Sequence, residues 1–508
     1  MVERGERSRA RTVFSKALAF INFIKKSIRE TNMQLFNLLE VTIPFFGDTF
    51  NVSLNWIGNL IRILISGVGS VGIGVILFSL ILKLIVLPFD VYQRIGMRKQ
   101  NQVMKENQVQ MEKLQKQYAN NKELYNQKVM ELYKKSGFSM CSSCLPMILS
   151  LVIFIVAINA FNAFAQYSNV QNYNAMVKAY QGELKKYTAT ISEENLSLSE
   201  NYFIVNDENA YIYYKVAAPE NAAEMTYEQK AAYVESVKTK DIAYCVNVEK
   251  VKSNTEMWGA ISATITEETT EDQAITSYFV GLGQKAVKAA YDDGVDGEKA
   301  IKKNTKFLWI KNVWAVDASY KHPVLKYSDF KSEAKQEKFK VDGSKIKYSK
   351  MVEHTEAYTE EAYDIITAEL GTAKKAPNGY FVLIVLSIGT ILLQQFVSMR
   401  SQKEQQKLST VDGQGASQQK IMMVVMTGMF AIFSFMYSSA FSIYMITSNI
   451  FSLASTLVIN KAVDAVAKKK EEKATAVKMD NVHLSRIEAA KEAGRKAAEE
   501  SRKKNDKK

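Results

Sequence analysis

Cys141 and Cys144 stand in a Cys-Ser-Ser-Cys run, the spacing of a redox dithiol or of half a zinc site. The only other cysteine is Cys245, and the three histidines, His322, His354 and His483, are far from the pair and from one another. Two free thiols on a reducing side are therefore the expected state, with no metal site and no Cys/His catalysis. The remaining residues with a chemical reading sit in long apolar runs. Lys83 is the only charge in any of them, and Gln394, Gln395, Thr427, Ser448 and Asn449 place amides and hydroxyls where hydrocarbon is the rule. A lone cation in such a helix either snorkels its head to an interface or faces water inside a bundle. Amides and hydroxyls there either bond neighbouring helices or line a wet groove.

Long apolar helices must hold these side chains. Five segments are long enough for a hydrocarbon core of roughly 30 Å: 69–88, 145–165, 380–398, 421–437 and 440–460. They cluster at the two ends of the chain, with polar segments between them, so a multi-pass membrane protein is expected. Charge placement then orients it. The segment 90–144 has ten basic and five acidic residues, 399–420 has four and two, and 461–508 has fifteen and nine. Residues 166–379 carry 27 Lys, no Arg and 32 acidic residues. Because cytoplasmic loops keep Lys and Arg, the three basic segments are expected inside and 166–379 outside.

Ahead of the first span, Leu54, Ile57, Leu60, Ile61 and Leu64 recur at helical spacing, which predicts an amphipathic helix over 52–68 lying on the outer surface. Residues 1–51 form an extension of uncertain role. Its first thirty residues hold eight basic and three acidic groups, an awkward load to export, and Met33 is a candidate start. The 89–144 segment is rich in helix formers and is broken at Asn120-Asn121, which predicts a cytoplasmic helical hairpin. The 166–379 insert has enough apolar and aromatic residues for a folded core, with β-leaning runs at 202–205, 211–216 and 307–316. It shows no Gly-rich phosphate loop, nucleophile motif or paired carboxylates, so neither an enzyme nor a cofactor is expected. The tail 461–508 is basic and reads either as a solvated charge run or as a partner for an anionic surface, lipid or ribosomal RNA.

This order of elements resembles the YidC/Oxa/Alb membrane protein insertases. The residues that carry the resemblance are Lys83-Leu84-Ile85-Val86-Leu87-Pro88, Glu131-Leu132-Tyr133-Lys134-Lys135-Ser136-Gly137, Cys144-Leu145-Pro146, Lys420-Ile421-Met422-Met423 and Tyr444-Met445-Ile446-Thr447-Ser448-Asn449. It covers about 195 residues, and the insert lies outside it. The family usually has Arg at the place of Lys83, Asn-Pro at Ser139-Met140, Gln and Pro at Ser150 and Val152, and Trp at Met445. Lys keeps the charge but loses the planar donor fork.

The resemblance implies a mainly α polytopic membrane protein, with a five-helix insertase-like core, a cytoplasmic helical hairpin and a mixed α/β extracytoplasmic insert. It implies insertion of nascent membrane proteins through a hydrophilic groove, with no covalent catalysis. Lys83, Gln394, Gln395, Thr427, Ser448 and Asn449 are the expected groove residues. The expected partners are nascent membrane proteins, the ribosome, the signal recognition particle pathway, the Sec translocon and anionic lipids, with no DNA. A multi-pass position in a bacterial plasma membrane with a cytoplasmic C-terminus follows, and the insert is expected to be dispensable. A transporter or channel with an extracytoplasmic domain is the alternative, and a surface receptor or adhesin a more distant one.

Overall fold

Long apolar runs have become long helices in the computed structural model, which describes residues 40–505 apart from 51, 136–139, 238–240, 296, 335–339, 342–343, 346–351, 353–354 and 402–413. The candidate start at Met33 and most of the 399–420 loop lie outside the described residues. Among those described, three stretches are long and apolar enough to cross a bilayer: Val71–Gly96, Val382–Arg400 and Ser439–Val466, of 26, 19 and 28 residues. Roughly 20 are needed. The expected spans at 145–165 and 421–437 lie in the helices Met140–Lys185 and Gln414–Met436, whose side chains are described only in part. The chain is mainly helical, with small antiparallel sheets.

The chain divides into two units. One comprises Ile76–Ile158, Leu383–Ser434 and Ser442–Lys508. On its helices Leu84, Ile85, Val385, Phe396, Val424 and Val458 are each more than half exposed, which is costly in water and favourable in lipid. Sequence reading ends the first span at Pro88, but a single helix, Val71–Gln117, runs through it. Proline removes one i→i−4 hydrogen bond, and the ladder resumes a turn later. The first span and the first arm of the expected hairpin are thus one helix. Its break falls at 118–121, where Asn121 Oδ1 accepts the Leu124 N–H at 3.0 Å and caps a second helix, Lys122–Lys135.

The other unit takes the described residues up to Val75, with Asn159–Val382 and Phe435–Phe441. A helix stands where the amphipathic one is expected, Trp56–Val68, started by Asn55 Oδ1 accepting the Gly58 N–H at 2.8 Å. It is stopped by Gly69, whose φ of 73° favours glycine. Ile61 is buried, while Trp56 and Ile63 are exposed. Val52 and Ser53 do not join this helix but pair as a short strand with Val341 and Lys340.

The core of the insert is built around the far half of the helix Met140–Lys185, where Val170, Tyr173, Val177, Tyr180 and Leu184 recur at alternating three- and four-residue steps and are buried. They pack against the helix Glu271–Asp292, where Gly283 lies against the Tyr180 ring so closely that a Cβ would clash with it. Four antiparallel strands, Leu196–Ser199, Tyr202–Val205, Ile212–Ala217 and Ile242–Val246, follow one another across one sheet. Two of them match the β-leaning runs. The third run, 307–316, is no strand: Phe307 and Ile310 close a tight turn, with Leu308 at a φ of 52°. The end of the N-terminal extension joins this core, as Val41, Ile43, Phe45 and Phe46 are buried in it, and Ile43 N–H and Val41 C=O bond to Tyr244 and Val246.

Candidate functional site

Within the first of these units, polar side chains link the apolar helices in sequence. Arg94, on Val71–Gln117, donates to Asn460 Oδ1 at 2.8 Å and to Thr456 Oγ1 at 2.6 Å, both on the last helix, Ser439–Asn505. Arg98, one turn on, meets Asp464 at 2.5 Å. On the same last helix Asn449 Nδ2 donates to Thr390 Oγ1 of Val382–Ser401 at 3.4 Å. That helix joins Gln414–Met436 through Thr427 Oγ1 donating to Gln395 Oε1 at 2.8 Å and through the buried hydroxyls of Ser387 and Ser434, 3.0 Å apart. Finally Phe154, on Met140–Lys185, packs edge-on against Phe430 with centroids 5.0 Å apart. In hydrocarbon such bonds hold helices together where burial alone gives little drive.

Of the six sequence-predicted groove residues, Gln395 and Thr427 therefore meet each other, and Asn449 meets a neighbour that sequence reading missed. Ser448 is buried and Gln394 half-buried. Lys83 is half-buried, and its charged neighbour is Asp90, two turns along the same helix, which also feels Arg94 one turn further. Asp90 and Arg94 belong to the expected cytoplasmic loop because a proline ordinarily ends a helix, yet the helix runs on through Pro88 and carries both. A readable signal was there all the same. Arg94 and Arg98 are four residues apart, as are Thr456, Asn460 and Asp464, so each set lines one face of its helix. The ordered bonds of Arg94 are the stronger set, since Asp464 is largely exposed and such a pair contributes little.

Elsewhere the potential chemistry is structural. The side chains of Cys141 and Cys144 fall outside the description. Cys245 is buried in the insert, and burial with the neighbouring Glu40 carboxylate pushes its thiol well above the ordinary range, which makes it a poor nucleophile. Among the described residues no cluster of His, Cys, Asp and Glu could hold a metal ion.

A set of helices with exposed apolar faces, bonded to one another by amides, hydroxyls and an arginine, defines a multi-pass membrane protein. A family profile described as "60Kd inner membrane protein" matches residues 63–219 and 297–468, and the chain belongs to that family. Similar curated proteins are each called "Membrane protein insertase YidC". One from Caldanaerobacter subterraneus subsp. tengcongensis is 33% identical over 19% of this chain and 46% of its own length. One from Fusobacterium nucleatum is 36% identical over 17% and 40%, and one from Clostridium perfringens 38% identical over 17% and 34%. The chain thus spans less than half the length of these relatives. No solved structure matches. The family match corrects one expectation, since it runs into the insert from both sides and leaves out only 220–296 between its two parts. Part of that overlap is the helix Met140–Lys185, which continues from an apolar run into the insert core without a break.

Proposed function

We propose that this protein is a membrane protein insertase that guides nascent membrane proteins into the bilayer without covalent chemistry. The family match over both ends of the chain carries the proposal. The half-buried Lys83 and the polar contacts of Gln395, Thr427 and Asn449 support it. A translocated tail bearing charges faces a cost of roughly 2.5 to 3.5 kcal/mol for each one placed at mid-membrane. A groove that keeps such a tail wet shortens the dry path, and a cation inside it attracts acidic residues. The apolar part of the substrate then moves sideways into lipid.

The five apolar segments form the core, and the groove is lined by Lys83, Gln394, Gln395, Thr427, Ser448 and Asn449. The helices up to Gln117 and over Lys122–Lys135 form a cytoplasmic hairpin that receives substrate from the ribosome or the signal recognition particle pathway, with the Sec translocon as a further partner. The C-terminal tail lies in the cytoplasm against ribosomal RNA or anionic lipid. A transporter would carry more charges within its spans.

Two measurements test this. Purified full chain in liposomes is expected to insert a short, newly translated membrane protein to a protease-protected state several-fold above empty liposomes. Equal protection in both sinks the insertase function. For topology, Glu256→Cys, on an exposed face of the insert, is made with Cys141 and Cys144 changed to Ser. A membrane-impermeant maleimide is expected to label it in intact spheroplasts. Labelling only after lysis reverses the orientation.

A further inference from the structure

A cavity of about 370 Å³ in the insert lies beside the turn at Phe307–Ile310, within the 300–1,000 Å³ or so typical of ligand pockets. Four lysines line it: Lys288, Lys302, Lys306 and Lys311. Only two carboxylates, Asp292 and Glu369, share the wall, and Asp292 is paired with Lys302 at 3.3 Å. A surplus of positive charge is thus gathered in a segment whose overall balance is negative. The Trp309 indole N–H, also in the wall, is shut off from solvent and has no acceptor among the described residues.

The setting of the cavity bears on its ligand. Phe307 lies against Gly72, at the start of the helix that carries the first span, so closely that a Cβ there would clash with its ring. A few residues on, Val313 and Ala315 carbonyls accept the N–H groups of Ala440 and Ser439, where another span begins. Asp317 binds the N–H groups of Tyr380 and Phe381, just ahead of the third. The stretch that builds the cavity wall therefore sits where three helices long and apolar enough to cross a bilayer start. There the turn holds Leu308 in a left-handed conformation, 60% exposed. A bulky residue held at positive φ is strained, so the surrounding turn enforces this display. An exposed leucine, a tryptophan and lysines together make the side-chain set of a bilayer interface, apolar groups toward the chains and cations at headgroup level.

We propose that this cavity binds a phosphate-bearing anion, the headgroup of an anionic phospholipid of the outer leaflet. The lysines take the phosphate, Leu308 contacts the acyl region, and the Trp309 N–H gains an acceptor through a small rotation of the ring. The proposal depends on the three helices spanning the membrane with the insert on the outer side, and is independent of insertase activity.

The full chain in non-ionic detergent is titrated with short-chain phosphatidylglycerol, with phosphatidylcholine of the same chains and with inorganic phosphate. Indole fluorescence is followed against Trp309→Phe as the blank. Phosphatidylglycerol is expected to give a saturable change that Trp309→Phe lacks, with phosphatidylcholine needing about tenfold more. Changing Lys288, Lys306 and Lys311 together to Gln should weaken phosphatidylglycerol on the order of 100-fold, since each lysine near an anionic surface contributes severalfold. Thermal melting of this variant confirms that it is folded. Saturation by inorganic phosphate alone keeps the anion site and overturns its assignment to lipid. Absence of a saturable change with any probe, an equal change in Trp309→Phe, or unaltered binding by the folded triple variant overturns the site.

Discussion

In liposomes carrying the full chain, Lys83→Glu is expected to abolish insertion of a substrate whose translocated tail carries Asp or Glu, while the same substrate with a neutral tail still inserts. Lys83→Ala should lower acidic-tail insertion by about tenfold or more, and Lys83→Arg should be tolerated. An ion pair at 4 Å gains about 4 kcal/mol at an effective dielectric near 20, and a tenfold effect requires only a third of that. The glutamate is worse than the alanine because attraction becomes repulsion, and because it faces Asp90 on the same helix.

Asp90 also supplies the competing explanation and the means to dismiss it. If Lys83 serves only to balance Asp90, then Lys83→Ala leaves a poorly neutralised carboxylate, both tails suffer alike, and Lys83→Ala with Asp90→Asn restores insertion. If Lys83 attracts substrate, the double variant restores nothing for the acidic tail, and Asp90→Asn alone leaves acidic-tail insertion intact or raises it. A snorkelling lysine predicts neither pattern: both tails would insert equally in wild type and Lys83→Ala. Equal insertion at matched protein levels removes the charge-attraction mechanism.

Three of the five expected spans were legible as helices long and apolar enough to cross a bilayer, because hydropathy over twenty residues is a strong signal and few competing structures can produce it. The amphipathic helix was legible from its periodicity, and its cap residues, Asn55 and Gly69, are those that end helices for stated steric reasons. The break at Asn121 was legible for the same reason. Three things were not. Pro88 resembled a helix end, because local chemistry disfavours it inside a helix while the rest of a long helix outvotes it. The continuation of Met140–Lys185 into the insert was hidden by Asn and Gln residues interleaved with its buried stripe, so that a core helix read as a polar segment. The run 307–316 has the composition of a strand, and tertiary bonds decide otherwise. No local propensity announces that Val313 and Ala315 will spend their carbonyls on residues 439 and 440. The partners of the candidate groove residues were not legible, since Thr390, Ser387 and Ser434 are ordinary residues until the helices are placed side by side.

Those bonds at 305–317 make Asn378 the residue of the insert whose loss should be felt most. Its side chain is fully buried and makes three hydrogen bonds: Nδ2 donates to the carbonyls of Asn312 and Val316, each at 2.9 Å, and Oδ1 accepts the Asn312 N–H at 2.7 Å. Next to it, a Cβ on Gly379 would overlap the Asp317 carboxylate that holds the Tyr380 N–H. Asn378→Ala leaves the Asn312 N–H without an acceptor and takes one of two donors from the Asn312 and Val316 carbonyls, which keep the Ala315 and Ala318 N–H groups, for a total of roughly 2–3 kcal/mol with the cavity left behind. Gly379→Ala should cost as much through the displaced Asp317. Both changes loosen the stretch that ties down the starts of the helices at Val382 and Ser439. Apparent melting in detergent should therefore fall by several degrees, and limited proteolysis should open the insert, whereas Asn304→Ala, at an exposed side chain, should leave both unchanged. Insertion activity should fall along with stability, against the expectation that the insert is dispensable. A melting temperature for Asn378→Ala within about 1 °C of wild type would show that this stretch does not hold the helix starts, and replacing the whole insert with a linker would again be expected to preserve insertion.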